Sequence, residues 1–447
     1  MTKLIMRFYF ILSLTIFCCY SFSFAQNKAE FLKEYDVFYF DKLGNFTRNG
    51  QNIDKGGEDF TPDKLYSDGA FLSSFSEDVN NAIKGQGSLS DVMRTSSTPN
   101  TFKVFFKGKV YDSYYGPENV LRDGNLIYYL KCQKKEYINS KEGNCCVKTA
   151  IYANNTKIDE ADVTSDIEAS MGLSSINPLF VKNGILYYVK SVGQTSEFYA
   201  YDPVQRETSL FKPELFAGNN NELIGILDNG DIIFSNSQGI FRNNLQSRII
   251  SKERLGGSSF LFAKGLTVGN NYYYFTLPSE NKPHGFLKDN LLVANIRSDT
   301  YGQTIDAERE DCHFGNSISG YLTPMQCVSK QGTIVRMDKR TNKPTLRKGQ
   351  PPYEETDIVY FVNNDIIDFS YYWKIGVDLF DQGIKNLSFV FDQKGNVSFL
   401  VVTALEENKS WPDIYLVQYL GDGKISKPEV LVKDATLFGV AKKPNDQ

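Results

Sequence analysis

Asn183-Gly184-Ile185-Leu186-Tyr187-Tyr188-Val189 is a polar turn with glycine followed by a short run of branched and aromatic side chains. Such runs, four to eight residues long and bounded by turn formers, read as β-strands. This one is apolar at consecutive positions. Alternate residues of a strand point to opposite faces, so both faces must be covered, as in an inner strand between neighbouring sheets.

The phrase recurs on either side. It is found at Asp123-Gly124-Asn125-Leu126-Ile127-Tyr128, Asn229-Gly230-Asp231-Ile232-Ile233-Phe234, Gly269-Asn270-Asn271-Tyr272-Tyr273-Tyr274 and Gly395-Asn396-Val397-Ser398-Phe399-Leu400. The glycines at 124, 184, 230, 269 and 395 are separated by 60, 46, 39 and 126 residues. The longest gap leaves room for two further phrases, near Gly332-Thr333-Ile334-Val335 and Asp357-Ile358-Val359-Tyr360. A period of roughly 40–50 residues with several strands per unit fits an all-β propeller. Residues 101–447 accommodate six or seven blades, with seven favoured.

The last unit carries a resemblance. Trp411-Pro412-Asp413-Ile414-Tyr415, then Gly421-Asp422-Gly423 and Lys427-Pro428-Glu429-Val430-Leu431, resembles a TolB-type or sialidase-like propeller repeat. It covers one blade, and neither Asp-boxes nor WD dipeptides accompany it. The resemblance implies a fold and no particular activity.

Residues 26–100 read differently. Asp36-Val37-Phe38-Tyr39-Phe40-Asp41 is a strand, while Phe71, Phe75, Val79 and Ile83 recur at intervals of four, which predicts one face of a helix ending at Gly85. The expectation is a small α+β extension over 26–100 that packs on the propeller and lends it a closing strand.

Residues 1–25 have the layout of a cleaved signal peptide. Lys3 and Arg7 precede an uncharged, apolar stretch, and Ser23-Phe24-Ala25 supplies small residues before a cut at Gln26. Export to the periplasm, the cell surface or the medium follows from that layout. The 447-residue chain carries a net charge of −4, and loss of Lys3 and Arg7 without any acid makes it −6. That balance, with no concentrated basic run, argues against a nucleic-acid partner. No later segment is apolar enough to span a membrane.

Five cysteines follow the leader. Proximity pairs Cys312 with Cys327, and Cys132 with Cys145 or Cys146, leaving at least one thiol over. Catalytic signals are sparse. Beyond the leader there are only two histidines, His284 and His313, and no nucleophile elbow or phosphate loop. No cofactor is expected.

Asp306, Glu308, Glu310, Asp311 and His313 form the densest cluster of ionisable groups. In a charged loop they simply face water. In an enzyme, Glu308, Glu310 and Asp311 would supply paired carboxylates for glycoside cleavage, and Asp306, Glu308 and His313 would be the weak metal candidates. The chain has 33 Phe and 27 Tyr but only two tryptophans, Trp373 and Trp411, and both are candidate ligand platforms. The expected role is a non-catalytic binding or interaction module for a glycan or protein partner at the propeller mouth. The alternatives are a glycan-active hydrolase or lyase at the same mouth, and a structural part of a cell-envelope assembly.

Overall fold

The computed structural model describes residues 28–443 apart from 77–101, 138–143, 164, 166–168, 170–172, 193–194, 218, 252–265, 277–283, 289–290, 297–303, 306–312, 316–324, 330, 342–355, 374–382 and 407–408. The described chain is mostly strand, and its strands form eight separate sheets, several of them four-stranded and antiparallel. This is the architecture expected of a propeller-type all-β protein. Six of the sheets lie wholly beyond residue 101, and two are shared with the residues before it.

The glycine phrases mark one recurring hairpin. Gly124, Gly184, Gly230, Gly269, Gly332 and Gly395 each sit, at positive φ, in the turn between two consecutive antiparallel strands, the first four in four-stranded sheets, Gly332 in a five-stranded and Gly395 in a six-stranded one. The run Asp357–Val362 is no phrase of its own. It belongs to strand Thr356–Val362, which pairs with Ile334–Thr341 in the sheet that Gly332 opens.

The chain divides into two compact units, one of Met1–Ile53, Leu65–Gly69 and Ala294–Gln447, the other of Asp54–Lys64 and Ala70–Val293. In the second unit, the stretch quoted above forms strand Ile185–Val192. Leu186 and Tyr188 are buried against Tyr128, Leu130 and Ile151 of the preceding sheet. Tyr187 and Val189 face the other way, towards Phe234 and Phe241 of the next. The first unit repeats this arrangement. In strand Val397–Leu405, Leu400 and Val402 pack with Tyr360 and Phe369 on one side, while Val401 packs with Val37 and Leu437 on the other. Each such side chain contributes about 1.5–3 kcal/mol when fully buried, and this burial holds consecutive sheets together.

Both ends of the described chain meet in one sheet. Strand Tyr35–Asp41 pairs antiparallel with Ala435–Lys442 and, on its other edge, with Phe46–Arg48.

The expectations for residues 26–100 need correction at two points. Phe71 and Phe75 lie on a strand, Phe71–Ser76, paired with Phe102–Phe106. A spacing of four puts residues on one side of a strand as readily as on one face of a helix. Ser67-Asp68-Gly69 is the turn before that strand, with Gly69 at φ 75°, so it is one more copy of the glycine hairpin. Val79 and Ile83 lie outside the described residues. The boundary drawn at residue 100 falls between two neighbouring strands of one sheet, so residues 26–100 are not a separate layer.

The bridge in the third sheet is Cys132–Cys146, with Cα atoms 5.9 Å apart. Cys145 and Cys146 are consecutive on strand Asn144–Ala153 and so point to opposite faces. The bond formed is Cys132–Cys146, which corrects the Cys132–Cys145 pairing; the register shifts between Cys146 and Thr149, rather than regular alternation, bring Cys146 to Cys132. Cys145 stays outside the bridge and is buried. Cys327 is disulfide-bonded, and Cys312, its expected partner, lies outside the described residues. No helix of the described residues is long and apolar enough to cross a membrane.

Candidate functional site

Trp411 lies on the connection between strands Val397–Leu405 and Asp413–Gly421. Trp411 is 45% exposed, far more than a packed aromatic. The following Pro412 biases Trp411 towards extended backbone, and the Pro412 carbonyl accepts a hydrogen bond from the Ala435 amide at 2.9 Å. Trp411 thus sits at the edge of a groove of about 410 Å³, within the ~300–1,000 Å³ typical of small-molecule sites. Ser410, Leu405 and Pro412 come from the same connection or its flanks. Lys385 and Asn386 come from the start of strand Gly383–Phe391, and Thr436 from the start of Ala435–Lys442.

Strand alternation explains why these residues meet. In an antiparallel meander, the second-to-third connection and the entry to the first strand lie at the same end. Residues 406–412 are a second-to-third connection, while Lys385 and Thr436 stand at the entries of first strands. The Asn386 side chain spans the join, donating from Nδ2 to the Leu437 carbonyl at 2.8 Å.

The loop carrying Trp411 is fixed from beneath. Lys409 Nζ lies 2.6 Å from Asp413 Oδ2 and 3.1 Å from Glu406 Oε2. Asp413, buried, accepts a further bond at Oδ1 from the Asp434 amide at 2.9 Å. The Tyr415 hydroxyl donates to Glu406. Burial alone would raise the Asp413 carboxyl, but its bonds from Lys409 and Asp434, with the Lys409 and Lys433 charges, outweigh that and hold it below the usual carboxylate range. Glu406 is lowered chiefly by the Tyr415 hydroxyl. The arrangement offers an apolar aromatic wall, amide and hydroxyl groups and one ammonium on a preorganised rim. It is equipped to stack on and hydrogen-bond a polar ligand.

Trp373, the other expected platform, is 6% exposed. Its ring packs on Tyr415 at 5.1 Å, Tyr372 at 6.0 Å and Phe369 at 6.1 Å, which corrects its assignment to the ligand face. It is instead an anchor of the same end of the sheet. Asp306, Glu308, Glu310, Asp311 and Cys312 lie outside the described residues, and His313 is placed only as a strand residue opposite Ser388. Among the described residues, no group of three or more His, Cys, Asp or Glu side chains is disposed to hold a metal ion. Sequence reasoning missed Lys385, Asn386 and Thr436 because strand alternation, not proximity in sequence, unites them. The one local signal was Ser410-Trp411-Pro412, a tryptophan in a turn.

No known protein family and no curated protein sequence matches the chain. Among solved structures, it is similar to a crystal structure of a eukaryotic initiation factor (8% identity, 92% of this chain and 98% of that one, TM-score 0.33). Another is the GH43 protein BlXynB from Bacillus licheniformis, in a mutant form (10% identity, 69% and 80%, TM-score 0.23). At these scores the description of the fold rests on the strand pairing of this chain.

Proposed function

We propose that the protein is an exported, non-catalytic binding module whose sheets are the blades of a β-propeller and whose groove beside Trp411 takes a glycan. A protein partner on the same rim is the competing ligand. The half-exposed Trp411 beside a largely apolar groove that also presents Asn386, Ser410 and Thr436 carries the reading: a sugar ring stacks its C–H face on an aromatic surface while its hydroxyls reach amide and hydroxyl groups. Six or seven blades follow from the spacing beyond residue 101. The pairing of Tyr35–Asp41 with Ala435–Lys442 supports the reading that the residues before 101 lend the propeller a strand. Export rests on the leader-like residues 1–25.

The test uses residues 26–447 on a panel of insoluble and soluble polysaccharides, scoring retention and new reducing or unsaturated ends together. Retention without cleavage, abolished in Trp411→Ala, is the expected result. Cleavage would replace the binding reading with the hydrolase or lyase alternative. No retention on any polysaccharide would leave a protein partner as the ligand.

A further inference from the structure

We infer that the ligand is a chain of several sugar units rather than a terminal sugar, because a second aromatic platform, Tyr371, stands at the same end of the same sheets as Trp411. This inference rests on the glycan reading of the groove. Tyr371 lies on the connection from strand Asp365–Ile367 to Gly383–Phe391, a fourth-to-first connection. By strand alternation it belongs to the end that carries residues 406–412. The two connections share a support. Ring-to-ring steps of 5.0, 6.0 and 5.1 Å lead from Tyr371 through Tyr372 and Trp373 to Tyr415, whose hydroxyl holds Glu406 at the base of the Trp411 loop.

Tyr371 is 86% exposed, and its turn keeps it so. Phe369 and Trp373 are buried on either side of it. The Tyr372 and Trp373 amides both donate to the Phe369 carbonyl, at 2.9 and 3.0 Å. Asp368 Oδ1 accepts from the Ser370 amide at 2.9 Å. A turn anchored at both ends cannot fold its exposed ring back into the core. A rigid tyrosine with few rotatable bonds loses little entropy on contact. Two exposed aromatic surfaces at the same end of these sheets suit a ligand with repeated flat, weakly apolar faces, as a linear oligosaccharide has. A single sugar would occupy only one of them.

The test is titration calorimetry of residues 26–447 with cello-, xylo-, manno- and chito-oligosaccharides of two to six units. In the series that binds, affinity is expected to rise with length. Trp411→Ala should abolish binding at every length. Tyr371→Ala should remove only the gain of the longer oligomers, about three- to tenfold for one aromatic contact, and Tyr371→Phe should keep it. Unchanged binding of every length by Tyr371→Ala, with Trp411→Ala still inactive, overturns this inference and leaves the groove reading standing. Failure of the unaltered protein to bind any series overturns both.

Discussion

Asn243 and Ile232 exchange two hydrogen bonds: the Asn243 amide donates to the Ile232 carbonyl, and the Ile232 amide donates to Asn243 Oδ1, each at 2.8 Å. Asn243 sits at φ 66° at the end of a third strand, and Ile232 begins the second strand of the same sheet. The pair recurs as Asn49 with Val37, Asn154 with Ile127 and Asn363 with Ile334, each asparagine at positive φ. In two copies an aspartate completes the clamp. Asp231 receives Arg242 and Asn243 Nδ2, and Asp36 receives Arg48 and Asn49 Nδ2. Asparagine suits the position because it tolerates left-handed backbone and caps an amide with the same side chain.

Asn243→Ala should therefore cost about 2–3 kcal/mol, from left-handed strain plus an amide stripped of its acceptor. Asn243→Gly should cost less, because it relieves the backbone while still losing the cap. Urea unfolding followed by circular dichroism measures both. Equal losses for the two substitutions would mean that backbone strain contributes nothing at this site.

Gly423 tests close approach rather than a cap. It has φ 74°, and a Cβ there would lie 2.1 Å from the Ile366 carbonyl oxygen, a backbone atom of the neighbouring sheet. Gly44 in the same unit has φ 79° and open space around it. Gly44→Ala should lose only the left-handed penalty of about 1–2 kcal/mol, and Gly423→Ala clearly more. Thermal unfolding of the two variants side by side decides this. Matching melting temperatures would show that the two sheets do not approach so closely at Gly423.

The repeated hairpins were legible because glycine at positive φ and doubly apolar strands leave marks in one dimension. The asparagine clamp was not, although it is as regular. Its halves are 11–29 residues apart, and the spacing varies with the length of the strands between them. The Gly69 hairpin was hidden by the interval from Phe71 to Phe75, which two periodicities share. Trp373 and Trp411 were both open as ligand platforms in the sequence, where only Trp411 lies between turn residues, Ser410 and Pro412. What separates them is that the Trp373 ring finds Tyr415 beneath it and the Trp411 ring stands over the groove. That difference is set by strand alternation and neighbouring sheets, which no local pattern encodes.

The Cys132–Cys146 bridge closes a loop of about 15 residues, worth roughly 3 kcal/mol. Replacing both cysteines by serine should lower stability by that amount. Cys145, buried on the other face of the strand, should resist iodoacetamide in the native protein and react once after denaturation without reduction. Cys146→Ser should not recruit Cys145 into a bridge with Cys132, because Cys145 lies opposite Glu136, four residues along its strand from Cys132. Urea unfolding reads the loss of stability and peptide mapping under non-reducing conditions the two thiol outcomes, and a Cys132–Cys145 peptide from the unaltered protein would refute the pairing.

The tryptophans make the acid response of the site directly observable, since Trp373 and Trp411 are the only two in the chain. Asp413 and Glu406 both titrate below their ordinary values in the folded protein. A carboxyl lowered by folding stabilises the native state fully above its unfolded pKa of about 4, and that contribution fades as pH falls through the folded value. Tryptophan emission should therefore stay constant from pH 8 to about 5 and change below about 4, when Lys409 loses its partners and the loop under Trp411 is released. Lys409→Met should move the change to higher pH. It leaves Asp413 buried with only the Asp434 amide and the more distant Lys433 charge, so burial becomes the dominant influence and raises the carboxyl. Trp411→Phe separates the two reporters: the buried Trp373 should respond later than the exposed ring, after the loop has opened. A transition between pH 5 and 8 in the unaltered protein, or an identical profile in Lys409→Met, would show that this network does not hold the loop.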